Sequence, residues 1–162
     1  MAPPIRTSWT TFRAACDRRA VIFVDASALV AILKGEPEAA ALTARLAPHA
    51  GEVWVSAVVR FEAEASLAAS RARGAGRGAA GPEDFAVAAG LVGALMEEVG
   101  AQDLPLTPAI AQGALEAAAT YGKLAGHPAR LNMGDCFAYA CAKSLEAALL
   151  YKGDDFARTD LA

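Results

Sequence analysis

The sequence predicts an α/β fold in which helices outnumber strands and surround a small parallel sheet. Apolar residues make up 55% of the chain and charged residues 20%, a composition typical of a folded core and not of a disordered chain. Alanine dominates the apolar residues and favours helices, whereas runs of β-branched residues are few and short. Segments with strand and helix character alternate, which indicates a parallel sheet with right-handed crossovers.

The chain is long enough for one domain, which we expect over residues 21–162. Residues 1–20 have no clear helical or strand periodicity and are interpreted as an N-terminal extension of uncertain order. They contain no continuous apolar segment of the kind found in secretory signals. The longest apolar stretch, residues 21–33, is interrupted by Asp25 and is too short to cross a bilayer, so we expect no membrane association.

The net charge of −3 argues against a protein that binds nucleic acid through bulk positive charge. It does not exclude a nuclease, because an acidic site that holds a cation presents that cation to the phosphate. The cysteines show no C-x-x-C spacing, and reduced thiols in a cytosol are the simplest interpretation. A cytoplasmic location is therefore expected. The three cysteines are Cys16, Cys136 and Cys141.

The first half of the predicted domain begins with Val21–Val24, a run that is apolar on both faces and predicts a buried central strand. This strand ends at Asp25. Ser27 is predicted to cap a helix that ends before Gly35. The elements predicted next are a helix over Ala39–Leu46, a strand over Val53–Val55 and a helix from Ala57 to Arg73 capped by Ser56.

The second half begins with a glycine-rich loop, Gly74–Pro82. It resembles a dinucleotide-binding pattern, but it follows a helix and not a strand, so we reject that function. Two helical runs, Phe85–Val99 and Thr107–Leu124, are predicted to form a helical hairpin that projects from the sheet. The remaining elements are a loop at Gly126–Pro128, a helix from Met133 to Ala147 and a strand over Ala148–Tyr151.

Acidic residues stand at the ends of the first and last predicted strands. Asp25 follows the first strand directly, and Asp154 and Asp155 follow the last one closely. In open α/β sheets, ligands bind outside the carboxyl ends of the strands. These positions therefore predict a functional site, although an aspartate after a strand can also cap the next helix.

Two further acids lie on predicted helices. Asp135 opens a helix that is apolar nearly all round, and a charge there needs a partner, either the helix amides or a cation. Glu62 lies within a helix rich in alanine and valine. Helix geometry does not decide whether Glu62 belongs to the site or is an ordinary solvated glutamate.

Carboxylates that converge at one edge of a sheet repel one another, which raises their pKa values and costs stability unless a cation neutralises them. An oxygen-only ligand set without histidine or cysteine favours Mg²⁺, with Mn²⁺ as an alternative, over zinc. Such a site suits phosphodiester hydrolysis, in which the metal offsets charge on the phosphate and a carboxylate orients or deprotonates the attacking water.

Four segments resemble, in order, the motifs of PIN-domain ribonucleases in the form found in VapC toxins of VapBC toxin-antitoxin systems. They are Val24–Leu29, Val55–Glu62, Leu131–Ala140 and Lys152–Phe156. The resemblance covers residues 21 to about 160. It implies a three-layer α/β/α PIN-like fold, Mg²⁺-dependent endoribonuclease activity on RNA, a homodimer and inhibition by a cognate VapB antitoxin.

The resemblance also implies residue roles. Asp25 and Asp135 would be the principal metal ligands, Glu62 and Asp154 would complete the catalytic acids, and Ser27 would support Asp25 through a hydrogen bond. Of the adjacent pair, Asp154 is preferred to Asp155. Independently of the resemblance, Arg130 and Lys152 flank the acidic motifs and are, with Ser27, the candidate substrate-binding residues, although a solvated surface carries such charges equally well.

Two other functions were weighed. A non-catalytic PIN-like module that binds RNA or a protein is the main alternative, although all four motif positions keep acids. A phosphatase of the haloacid-dehalogenase type would need an aspartate two positions after Asp25, where Ser27 stands. The sequence does not identify the RNA target or the antitoxin.

Overall fold

The computed structural model describes residues 21–162, so the predicted N-terminal extension and Cys16 lie outside the described residues. Within this range, four parallel strands form one sheet in the order β3-β2-β1-β4. The strands are β1 (Ile22–Val24), β2 (Val53–Ser56), β3 (Gln102–Leu104) and β4 (Ala148–Leu150). The helices are α1 (Ala26–Lys34), α2 (Ala39–Leu46), α3 (Ala57–Gly74), α4 (Pro82–Val99), α5 (Pro108–Tyr121) and α6 (Met133–Ser144).

Strand β1 lies in the interior of the sheet, as predicted. All three of its residues are buried, and Ile22 pairs with Val53 of β2 on one side and Ala148 of β4 on the other. A strand flanked on both sides and covered on both faces must be apolar throughout, which explains the run Ile22–Val24. Helices flank the sheet in a three-layer α/β/α arrangement.

The strand order reverses beside β1. The chain proceeds from β1 outward through β2 to β3 and then returns to place β4 on the opposite side of β1. The carboxyl ends of β1 and β4 therefore lie side by side, and the Asp25 amide donates a hydrogen bond of 2.9 Å to the Leu150 carbonyl. A crevice at such a reversal is the usual ligand site of an open parallel sheet.

The prediction that Ser27 caps the first helix is wrong. Helix α1 begins at Ala26, and Asp25 is its N-cap, with the Ser27 amide donating to the Asp25 carboxylate over 2.9 Å. An aspartate in extended conformation directly before the helix reaches the first free amides better than a residue already inside the turn. Ser56, in contrast, caps α3 as predicted, because its hydroxyl accepts a hydrogen bond from the Val59 amide.

The predicted hairpin of the runs Phe85–Val99 and Thr107–Leu124 is also corrected. Helix α4 packs mainly against α3, and α5 packs against α6. Strand β3, which the sequence did not predict, lies between α4 and α5 and pairs with β2. Because this strand carries the chain across the sheet edge, the two helices on either side of it do not form a hairpin.

The α3–α4 pair is closed by an ion-pair cluster around Asp84, whose side chain is 1% exposed. Arg77 donates two hydrogen bonds of 2.6 Å to the two carboxylate oxygens, and the Gly81 amide donates a third of 2.9 Å. Arg71 of α3 lies 3.2 Å away. These donors hold the pKa of Asp84 well below its usual value, so the group stays charged and joins the loop to both helices.

We expect Asp84→Asn to lower the melting temperature, because the amide cannot accept both hydrogen bonds from Arg77 and deprives that guanidinium of its buried carboxylate partner. Differential scanning calorimetry at pH 7 measures this loss, with Glu83→Gln as a control on the adjacent exposed acid. Equal melting temperatures for the two variants would show that the cluster does not support the fold.

The described helices were also compared with the requirements for a membrane span. Between Val21 and Ala162, none of the helices has both the length and the apolar character needed to span a bilayer.

Candidate metal centre

Asp25 lies at the carboxyl end of β1 and is 5% exposed. Its Oδ2 accepts hydrogen bonds from the amide and the hydroxyl of Ser27, over 2.9 and 2.5 Å. Burial raises the pKa of Asp25; the Ser27 hydrogen bonds oppose this rise and repulsion from Asp155 adds to it. The predicted support of Asp25 by Ser27 is therefore present in the structure.

Asp135 lies in the first turn of α6, where Asn132 is the N-cap. The two residues form a capping box in which the Asn132 amide donates to Asp135 Oδ2 over 2.7 Å and the Asp135 amide donates to Asn132 Oδ1 over 3.1 Å. Burial raises the pKa of Asp135 to about 6; the Asn132 amide opposes this rise, and repulsion from Asp25 and Asp155 adds to it. The helix amides thus partner one carboxylate oxygen, without removing the repulsion from the other acids.

Glu62 belongs to the same site. It projects from the second turn of α3, is partly buried, and lies against the backbone of Gly134 in α6. Burial, followed by repulsion from Asp25 and Asp135, raises the pKa of Glu62 to about 7. An ordinary solvated glutamate would show neither burial nor repulsion from two other acids, so the structure places Glu62 beside Asp25 and Asp135.

Asp155 lies close enough to this cluster to affect two of its acids. Repulsion from Asp155 adds to the rise in the pKa of both Asp25 and Asp135. Asp154 and Asp155 are both exposed and lie in the turn that follows β4. Asp155 is therefore a candidate for the fourth acid beside Asp154, which is preferred from the sequence.

The donor chemistry of the cluster fits a hard divalent cation: it consists of carboxylates from β1, α3, α6 and the turn after β4. Within residues 21–162, no three acidic, histidine or cysteine side chains stand close enough to enclose an ion by themselves. Mg²⁺ commonly binds through one or two carboxylates and keeps several water molecules. A cation held between Asp25 and Asp135, with water in its other positions, fits this arrangement.

The two basic candidates differ in their surroundings. Lys152 forms ion pairs with Glu36 and, over 3.3 Å, with Glu38, so its ammonium group is already neutralised by the α1–α2 segment. Its backbone amide donates to the Ser27 hydroxyl over 3.0 Å. Arg130 is exposed and stands two residues before Asn132, in a turn that its left-handed backbone closes. Of the two, Arg130 is the better placed to meet an anionic ligand.

Sequence reasoning missed two residues of this site. The motif comparison assigns no role to Asn132, although the spacing Asn-x-x-Asp before an apolar run is a capping-box signal. Gly134 was also passed over. An isolated glycine inside a helical pattern indicates a packing or functional reason, and here that reason is contact with Glu62.

Comparison with known proteins decides the family. The family model described as PIN domain matches residues 22–161, almost all of the described chain. The chain belongs to the PIN domain family. This confirms both the resemblance carried by the four motifs and the predicted three-layer α/β/α fold of a PIN domain.

Several curated relatives of this PIN domain are named as VapC ribonucleases. One from Rhizobium meliloti is 46% identical over 140 residues, which is 86% of this chain and 98% of the relative. The ribonuclease VapC28 of Mycobacterium tuberculosis is 36% identical over 138 residues, or 85% of this chain and 93% of the relative. Ribonuclease VapC30 from the same species is 35% identical over 140 residues, or 86% and 95%.

Proposed function

We propose that the protein is a Mg²⁺-dependent endoribonuclease and the toxin of a type II toxin-antitoxin pair. The observation that carries the proposal is the convergence of Asp25, Glu62 and Asp135 from three distant segments, where burial raises the pKa of each carboxyl and repulsion from neighbouring acids adds to the rise. Functional sites are where such perturbed groups concentrate. The relatives are named as VapC ribonucleases, which supports ribonuclease chemistry, and we propose a VapB-type antitoxin as the partner.

A bound Mg²⁺ would supply positive charge at the scissile phosphate and lower the pKa of a coordinated water. The protein's own groups have separate roles in this scheme. Asp25 and Asp135 hold the cation, and Ser27 fixes the orientation of the Asp25 carboxylate through its hydroxyl. Glu62, held beside these two acids, is suited to orient or deprotonate the attacking water. Asp155 adds a fourth negative charge at the rim of the site.

Substrate binding is proposed to depend on the cation and on few basic side chains, since the net charge is −3. Arg130 is the proposed phosphate contact. The ammonium group of Lys152 is paired with Glu36, so Lys152 is proposed to order the turn after β4 and not to contact phosphate. We propose that the protein acts in the cytoplasm and forms the homodimer that the family resemblance implies.

Cleavage of structured RNAs by the purified protein tests the proposal. We expect cleavage in Mg²⁺ and none in EDTA, with Mn²⁺ restoring activity. Asp155→Asn and Asp154→Asn form a matched pair in the same turn: the first should reduce the rate by about 10–100-fold, as outer ligands of metal sites do, and the second should leave it nearly unchanged.

Two results would count against the proposal. Cleavage that persists in EDTA would exclude the metal-dependent reaction. RNA binding without cleavage in any divalent cation would favour the non-catalytic RNA-binding module instead. Equal losses from the two aspartate variants would restore Asp154 as a candidate for the fourth acid.

A further inference from the structure

Gly134 is the second residue of α6 and lies directly before Asp135. It is buried, and its backbone is not in the left-handed region that favours glycine. The backbone conformation therefore does not require glycine here, and the reason for the glycine is the limited space around its Cα atom. A Cβ atom at this position would lie closer than 3.0 Å to both carboxylate oxygens and to Cδ of Glu62.

Other glycines inside the described helices differ from Gly134. A Cβ atom at Gly90 or Gly93 of α4 would meet nothing within 4 Å, and at Gly113 of α5 it would touch only the Ala140 side chain, at 3.4 Å. Among the described glycines, only at Gly134 would a Cβ atom come closer than 3.0 Å to an acidic side chain. Gly134 thus lies between two residues of the proposed site, Glu62 across the helix contact and Asp135 next in the chain.

We propose that Gly134 is a positioning residue, whose lack of a side chain opens the space in which the Glu62 carboxylate reaches Asp25 and Asp135. The expected effect on RNA cleavage rests on the proposed function. The contact between Gly134 and Glu62 does not depend on that function. Helices α3 and α6 bring Glu62 and Asp135 together only because the α6 backbone is bare at the point of contact.

A methyl group at Gly134 is expected to move Glu62 and not to unfold α6. The atoms it would displace form the free end of a flexible side chain, which can rotate away at little cost. Alanine is also a better helix former than glycine in a helical backbone. Gly134→Ala should therefore keep the fold and shift only the carboxylate. A displacement of about 1 Å in a catalytic group can reduce the rate by about a hundredfold.

A double-mutant cycle tests the proposal with four proteins: wild type, Gly134→Ala, Glu62→Ala and the double variant. Gly93→Ala serves as the control for an ordinary glycine-to-alanine change in a helix. RNA cleavage, Mn²⁺ affinity measured by calorimetry and the melting temperature of the metal-free protein are recorded for each.

In the presence of Glu62, we expect Gly134→Ala to reduce cleavage by about a hundredfold. In the Glu62→Ala background it should cause no further loss. The melting temperature should show the same coupling: Gly134→Ala should raise it more in the Glu62→Ala background, where the space is free, and there the gain should resemble that of Gly93→Ala.

Equal effects of Gly134→Ala on melting temperature in the two backgrounds, or full cleavage by Gly134→Ala alone, would overturn the inference. If wild type cleaves no RNA, the proposed function fails, but the coupling of melting temperatures still decides whether Gly134 makes room for Glu62.

Discussion

Replacing Asp25 by asparagine is expected to reduce Mg²⁺-dependent RNA cleavage on the order of 10³-fold, because the site loses a charge that holds the cation. Asparagine is nearly isosteric with aspartate and is as good an N-cap, so its amide oxygen can still accept the hydrogen bond from the Ser27 amide. The start of α1 should therefore be preserved. Single-turnover cleavage at saturating Mg²⁺ gives the loss of rate.

The melting temperature of Asp25→Asn in EDTA provides the control. Burial raises the pKa of the Asp25 carboxyl, so the charged form destabilises the metal-free protein at neutral pH. The variant should then melt at the same temperature as wild type or higher. A lower melting temperature together with lost cleavage would mean that Asp25 acts mainly as a helix cap and not as a metal ligand.

The free energy of unfolding of the metal-free protein should fall as the pH rises from about 5 to about 7. Folding raises the pKa of Asp135 from 3.8 to about 6 and that of Glu62 from 4.5 to about 7. The folded state therefore binds more protons than the unfolded state in this window, so stability is lost as the pH rises through these values. Glu36, whose pKa is lowered from 4.5 to about 2, gives the opposite trend below about pH 5, so the fall in stability is expected chiefly between about pH 5 and 7.

Saturating Mg²⁺ should reverse this loss, because the cation neutralises the charged carboxylates and competes with protons for them. At a free concentration a hundred times its dissociation constant, the ion adds about 2.7 kcal/mol to stability. The gain should be large at pH 7.5 and small at pH 4.5. Urea denaturation with Mg²⁺ or EDTA at both pH values measures it, and Glu62→Gln should flatten the pH dependence. A stability that rises from about pH 5 to 7 in EDTA would contradict the clustering of these acids.

The central strand and its terminal acid were predictable because their signals are local. Residues 22–24 are apolar on both faces, which indicates a buried central strand. Because Asp25 follows this strand directly, its place at the carboxyl end of the sheet could be predicted. Strand β3 gave no such signal. It lies at the sheet edge, is largely exposed and contains Gln102 and Asp103, so its pairing with β2 comes from the tertiary fold and not from apolar periodicity.

The sequence motifs name the acids of the candidate site, but they leave its detailed arrangement open. Asp25, Glu62 and Asp135 were named as site residues, but the choice between Asp154 and Asp155 depends on the direction of side chains in a turn. The pairing of Lys152 with Glu36 joins residues far apart in the chain. Motif spacing predicts neither the choice of aspartate nor this ion pair, because both depend on the packing of segments that are distant in the chain.

The hydroxyl of Ser27 serves two segments at once. It donates to the carboxylate of Asp25 and accepts from the amide of Lys152, at the start of the turn that carries Asp155. Any replacement must supply a donor and an acceptor on one short side chain, a requirement that threonine meets, cysteine meets only weakly and alanine does not meet. Substitution tolerance at this position should therefore be narrower than its partial exposure suggests, and a loss there would disconnect two acids that are 130 residues apart in sequence numbering.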